Sequence, residues 1–88
     1  MQIKINDPAS IGQIVRACRK SQNVRQDDTA DSIGVSENFL GKVEKGSDSV
    51  NWGKLFQVLS GLGVHVILDV PENVGRTLIT ESEAKKYS

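Results

Sequence analysis

Apolar residues recur at helical spacing in four places along the chain, and the polar residues between them carry the marks of helix ends. Ile11, Ile14, Val15 and Cys18 stand at i, i+3, i+4 and i+7, a stripe about one helix face wide. Asp7-Pro8 ahead of them offers a capping carboxylate and a proline at the first helical position, where its missing N–H breaks no bond, so a helix is predicted over residues 8–21. A second helix begins near Gln26 and stops at Gly34, a residue that takes the left-handed conformation freely. Thr29, Ala30 and Ile33 form its inner face, with Ala30 small enough to let helices approach closely. Ser36 caps a third helix that reaches Lys45 and ends at Gly46, turning Phe39, Leu40 and Val43 inward. Asn51 caps a fourth, to about Leu62, in which Trp52, Leu55, Phe56, Leu59 and Leu62 are expected to form much of the core, the aromatic pair included.

The pattern then changes period. Residues 64–70 are rich in β-branched side chains, alternate, and are closed by Pro71, which reads as a strand. A lone strand leaves its backbone donors and acceptors without partners. Three partners are available: residues 2–5, which alternate around Ile3 and Ile5; residues 76–80; or the same strand of a second subunit. The last is favoured, giving a two-fold homodimer with Val64, Val66, Ile67, Leu68 and Val70 as the dimer strand. His65 reads as a half-exposed strand residue. The chain therefore divides into a helical and dimerisation domain over residues 1–70 and an extension over 71–88, whose polar end from Glu81 lacks a core pattern and is expected to be mobile.

At 88 residues the chain holds one domain and buries a smaller share of its surface than a larger one would, which makes help from a second subunit reasonable. With 38% hydrophobic and 25% charged residues it is neither disordered in composition nor a membrane protein, and its start has no signal-peptide core, so a cytoplasmic protein is expected. Cys18 and His65 are each the single residue of their type. Cys18 reads as a small buried core residue; an internal disulfide and a multi-cysteine zinc site are excluded, and the lone histidine leaves no Cys-His pairs at recognisable spacing, which argues against a metal site or a catalytic triad. No phosphate-binding loop or nucleophile elbow is present, so neither an enzyme nor a cofactor is expected.

Residues 26–44 carry the functional signal. Two short helices joined by a tight turn, with Ala30, Gly34, Val35, Leu40 and Val43 at these separations, have the spacing of a helix-turn-helix. The net charge is zero, so affinity for DNA must come from local placement rather than a broad basic surface.

The order Gln26, Ala30, Gly34, Val35, Ser36, Leu40, Val43, Glu44, Gly46, Leu55, Leu62 and Gly63 resembles the phage-repressor-like Cro/C1 or Xre helix-turn-helix family over about residues 11–64. The flanks narrow this. The extended start, Asp7-Pro8, and Leu62-Gly63-Val64 running straight into a strand resemble HipB-type antitoxins. The resemblance implies a mainly α fold, a four- to five-helix domain followed by a C-terminal β-strand that pairs across a dimer. It further implies binding of double-stranded operator DNA, repression of its own operon and a HipA-type serine/threonine kinase toxin as partner. A phage-type or restriction-controller regulator, or an interaction module that has lost DNA binding, stands as the alternative.

In such a domain the third helix enters the major groove with its N-terminal residues near base edges. Ser36, Glu37, Asn38, Gly41 and Lys42 are the base-reading candidates: Asn38 has the amide for a bidentate contact with adenine, Lys42 donates to guanine or phosphate, and Glu37 accepts from cytosine. Glu37 departs from the glutamine or basic residue common in the family. Gln26 at the start of the second helix, with Arg25, Lys45 and Ser47 in support, is the phosphate-binding candidate set. Arg19 and Glu44 match a pair that forms an internal salt bridge in phage-repressor domains, and the resemblance implies it here.

Overall fold

The computed structural model describes residues 1–87. Five helices follow in order: α1 (Pro8–Ser21), α2 (Gln26–Ile33), α3 (Glu37–Glu44), α4 (Trp52–Gly61) and α5 (Glu72–Tyr87). Three of them start on side chains that close the first turn. A carboxylate oxygen of Asp7 accepts from the Ser10 N–H at 2.8 Å, the Ser36 hydroxyl from the Phe39 N–H at 3.0 Å, and the Asn51 side-chain oxygen from the Lys54 N–H at 3.0 Å. Gly34, at φ 93°, ends α2 in the left-handed region and turns the chain into α3.

The core lies where α1 to α4 meet. Val15, Ala30, Val35, Leu40, Val43, Leu55, Val58 and Leu59 are buried, and Ile11, Ile33, Phe39, Val50, Leu62 and Val64 pack against them. Packing runs α1 on α3, α2 on α3 and α2 on α4. The α1–α3 contact is close enough to forbid a side chain at Gly12: a Cβ there would stand 2.4 Å from the Val43 carbonyl oxygen and 2.8 Å from that of Glu44. Gln57 of α4 reaches across to the end of α2, donating to the Ile33 carbonyl at 2.8 Å, and so ties the turn to the helix behind it.

Several expectations need correction. Trp52 and Phe56 are not core residues, being 73% and 44% exposed, and they lean on each other with ring centroids 5.9 Å apart. Leu55, Val58 and Leu59 occupy the inner face at i, i+3 and i+4, which leaves residues 52 and 56 on its flank. Cys18 is half-buried rather than buried.

Residues 76–80, offered as a strand, lie within α5, where the Glu72–Arg76 ion pair and hydroxyl bonds from Thr77 to the Asn73 carbonyl and from Thr80 to the Arg76 carbonyl, each 2.9 Å, follow helical spacing. α5 continues to Tyr87, and Ser88 lies outside the described residues. No strand forms among the described residues: 2–5 and 64–70 have no ladder partner in the single chain. The second segment leaves Val66, Ile67, Leu68 and Val70 exposed.

Candidate nucleic-acid interface

α3 is anchored on one side and free on the other. Leu40 and Val43 are buried, whereas Ser36, Glu37, Asn38 and Lys42 are exposed and Gly41 is half-covered. Ser36 at the cap and Glu37 and Asn38 in the first turn stand where a recognition helix meets base edges, and Lys42 follows one turn after Asn38. Ser36 is committed to capping through its oxygen lone pair, which leaves its hydroxyl proton able to donate outward. Gly41 opens the middle of this face, and the Gln26 amide lies over it: a Cβ at Gly41 would be 3.8 Å from both amide heteroatoms. The start of α2 and the outer face of α3 thus form one continuous surface.

The start of α2 differs from those of α1, α3 and α4. Its cap residue is Arg25, extended at φ −70° and ψ 156°, whose side chain accepts from none of the free amides of the turn. The Asp28 N–H alone finds a local acceptor, Asp27, at 2.9 Å. The remaining free amides and the positive end of the helix dipole lie at Gln26, an arrangement that favours an anion, with the carboxylates of Asp27 and Asp28 in the same turn opposing it. Arg25 is exposed and meets Asp27 at 3.2 Å, a solvent-facing pair that leaves the guanidinium readily available. Lys45 is exposed at the end of α3. Ser47 is half-buried, with its amide donating to the Lys42 carbonyl at 3.1 Å and its hydroxyl accepting from the Ser49 N–H at 3.3 Å, so it serves the turn after α3.

Arg19 fixes this surface to α1. Its Nε and Nη2 donate to the two carboxylate oxygens of Glu44, both at 2.8 Å, and its Nη1 donates to the Val24 carbonyl at 3.1 Å. The side chains are only 13% and 5% exposed, and the two parallel bonds fix orientation as well as distance. The bond from Glu44 holds the Arg19 pKa above its ordinary value against an opposing effect of burial. One guanidinium thereby joins α1, the start of the loop into α2, and the last residue of α3.

Sequence reasoning did not reach Gln57, Gly12 or Val58. Gln57 is polar and off the apolar stripe, so periodicity gives it no role, and only a distance to Ile33 reveals one. Gly12 did leave a signal, as a glycine inside an otherwise good helix.

This sequence matches the helix-turn-helix family HTH_3 over residues 15–67. An HTH-type transcriptional regulator of Sinorhizobium fredii, y4mF, is 41% identical over 71 residues, covering 81% of this chain and 93% of that protein. A second from the same organism, y4aM, is 38% identical over 55 residues, or 62% of this chain and 38% of its own length. Among solved structures, a chain of the HipA-HipB-O2-O3 complex superposes with a TM-score of 0.71 at 20% identity, covering 81% of this chain and 100% of that one. The restriction-modification controller protein C.AhdI of Aeromonas hydrophila superposes at 0.58 with 22% identity, covering 66% and 88%. At these identities the superpositions establish a shared fold.

Proposed function

The chain belongs to the helix-turn-helix family HTH_3, whose fold it shares with HTH-type transcriptional regulators, and from that premise we propose that it is a dimeric, sequence-specific repressor of HipB type. It binds double-stranded operator DNA and acts as the antitoxin of a HipA-type serine/threonine kinase. The observation that carries the DNA-reading role is the joined surface of α2 and α3: free amides beside Gln26 for a phosphate, and Asn38 and Lys42 exposed next to it on a helix whose other face is buried. Phosphate contacts from Gln26, Arg25 and Lys45 set the position of α3, and Asn38 and Lys42 read base edges. Glu37 selects against bases that present only acceptors and accepts from cytosine.

The dimer places two copies of α3 about one DNA turn, roughly 34 Å, apart. Support for it comes from residues 65–70, a segment without ladder partners in the single chain and with Val66, Ile67, Leu68 and Val70 exposed, which a second copy satisfies by strand pairing. A HipA-type partner is supported by the resemblance of the flanks to HipB-type antitoxins and by the superposition on a chain of the HipA-HipB-O2-O3 complex. Such a protein works in the cytoplasm.

The deciding experiment titrates the purified protein with promoter DNA of its own operon across a salt series. Specific binding that weakens linearly in log salt supports the repressor. Absence of binding at low salt supports instead an interaction module that keeps the fold, a reading that the zero net charge and Glu37 favour. Co-purification of a kinase-sized neighbour decides the antitoxin role.

A further inference from the structure

Besides residues 66–70 and the N-terminal Ile3 and Ile5, two further apolar surfaces lie open. One is the flank of α4, where Trp52 and Phe56 stand one turn apart and largely uncovered. The other is α5, whose Val74 and Leu78, also one turn apart, are 40% and 55% exposed beside Ile79 at 62%. α5 takes no part in the packed helix pairs, and it lies wholly beyond the residues matched by the family. Exposed apolar surface on this scale marks an interaction site.

The connection between them determines which copies can meet. This inference rests on the strand-paired dimer proposed above. A two-fold axis that pairs residues 64–70 with their own copy sets the two segments antiparallel. With the axis near Ile67, Val70 lies opposite the partner's Val64, which directly follows the end of the partner's α4. α5, starting at Glu72, is therefore delivered to the partner's α4 rather than to its own, from which the extended segment carries it roughly 23 Å away. An α5 that folds back from that point along the partner's α4 runs antiparallel to it. Leu78 lies about 9 Å into α5, and Phe56 and Trp52 lie about 8 and 14 Å back from the end of α4, so the two apolar stripes come into register.

We propose that α5 of each protomer docks across the dimer onto the Trp52–Phe56 flank of α4 in the second copy, an exchanged helical arm that closes both exposed faces at once. The arm makes each protomer's α4 part of the interface, and it gives the dimer an apolar contact that the strand pair alone does not supply.

Cross-linking between copies tests it. In a Cys18→Ser background, one variant carries Trp52→Cys and another Leu78→Cys; both positions are exposed in the single chain, so neither change opens the core. The two proteins are mixed, allowed to exchange, and treated with a short bismaleimide, while sedimentation equilibrium of the unmodified protein measures its mass. The expected result is a dimeric protein and a dimer-mass cross-linked band in the mixture that neither variant gives alone. Leu78→Ser should also raise the dimer dissociation constant by about tenfold or more, the worth of one buried leucine. A dimer without the mixed band overturns the arm while leaving the strand-paired dimer intact. So does a band from the Leu78→Cys variant alone, which means that the two arms pair with each other, or a cross-link confined to single chains of the double variant, which means docking on the same copy. A monomer at every concentration overturns the dimer and the arm together.

Discussion

Removing one partner of the Arg19–Glu44 pair should be among the most damaging single changes in this domain. Arg19→Met keeps most of the aliphatic stem and deletes three hydrogen bonds: two to Glu44 at 2.8 Å and one to the Val24 carbonyl at 3.1 Å. What remains is a carboxylate with 5% of its side chain exposed and no countercharge. Breaking a fully buried pair in this way costs about 3–5 kcal/mol. Residual solvent access at the arginine, 13% exposed, lowers the figure to about 2–4 kcal/mol. In a domain of this size that is a fall in Tm of roughly 10–25 °C.

Replacing both groups, in Arg19→Met with Glu44→Leu, leaves no stranded charge and should restore most of the loss, because buried pairs are often matched by apolar residues of similar volume. Thermal and urea melts followed by far-ultraviolet circular dichroism give all four corners of the cycle. Two results would refute the reasoning: an Arg19→Met variant melting within the error of the parent, or a double variant whose loss equals the sum of the singles. The Arg19 pKa is raised in the fold, so its contribution is fully present below the ordinary arginine range and is lost only as pH rises beyond it. The parent's benefit from this guanidinium should therefore be level across neutral and mildly alkaline pH.

Other changes separate the remaining parts. Gly12→Ala places a methyl 2.4 Å from the Val43 carbonyl oxygen, and overpacking against backbone should outweigh the gain in helix propensity, for a net loss of about 2 kcal/mol by denaturant melt. A variant as stable as the parent would mean that α1 and α3 are further apart than described. The Asp7 carboxyl is held below its ordinary value by the Ser10 N–H and then by the Ser10 hydroxyl, so its stabilising effect is present above pH 3.8 and fades as pH falls through the lowered value. The Tm gap between the parent and Asp7→Ala should accordingly shrink in acid, and a gap unchanged from neutral to strongly acid pH would contradict the cap. On operator DNA, Asn38→Ala should cost about 1–3 kcal/mol and relax preference at one base pair, while Lys42→Ala should reduce the salt slope by about 1 if it serves phosphate. Glu37→Gln should strengthen binding to most sequences by removing a carboxylate near the backbone; weaker binding everywhere would assign Glu37 a required base contact.

Helix ends were the most legible part of this chain. Asp7, Ser36 and Asn51 each cap through a bond to the third amide along, and Gly34 stops α2, because these effects act within a few residues and leave a local imprint in sequence. Which face of α4 turns inward was less legible. Residues 52, 55, 56, 59 and 62 fit a helical period but span two adjoining faces, and the choice between them is made by packing against α2, distant in sequence. α5 was missed because Gly75, Thr77, Ile79 and Thr80 lower helix propensity and Val74, Leu78 and Ile79 form too short a stripe to outweigh them. On the candidate site, sequence identified the exposed residues of α3 but not the Gln57 bond to Ile33, since a polar residue off the stripe has no pattern to betray its partner. The strand expected over residues 64–70 does not form in the single copy, which offers it no ladder partner among the described residues, and the Val64 N–H instead donates to the Leu59 carbonyl at 2.8 Å.

The bare start of α2 sets two demands against each other at one position. Serine in place of Arg25 would close the first turn and make the free domain sturdier by about 1 kcal/mol. Under the proposed DNA-reading role, the same serine would compete for an amide that an incoming phosphate needs and would delete a cation beside it. For such a reader, a durable fold and tight binding pull residue 25 in opposite directions, and arginine there stands on the side of binding.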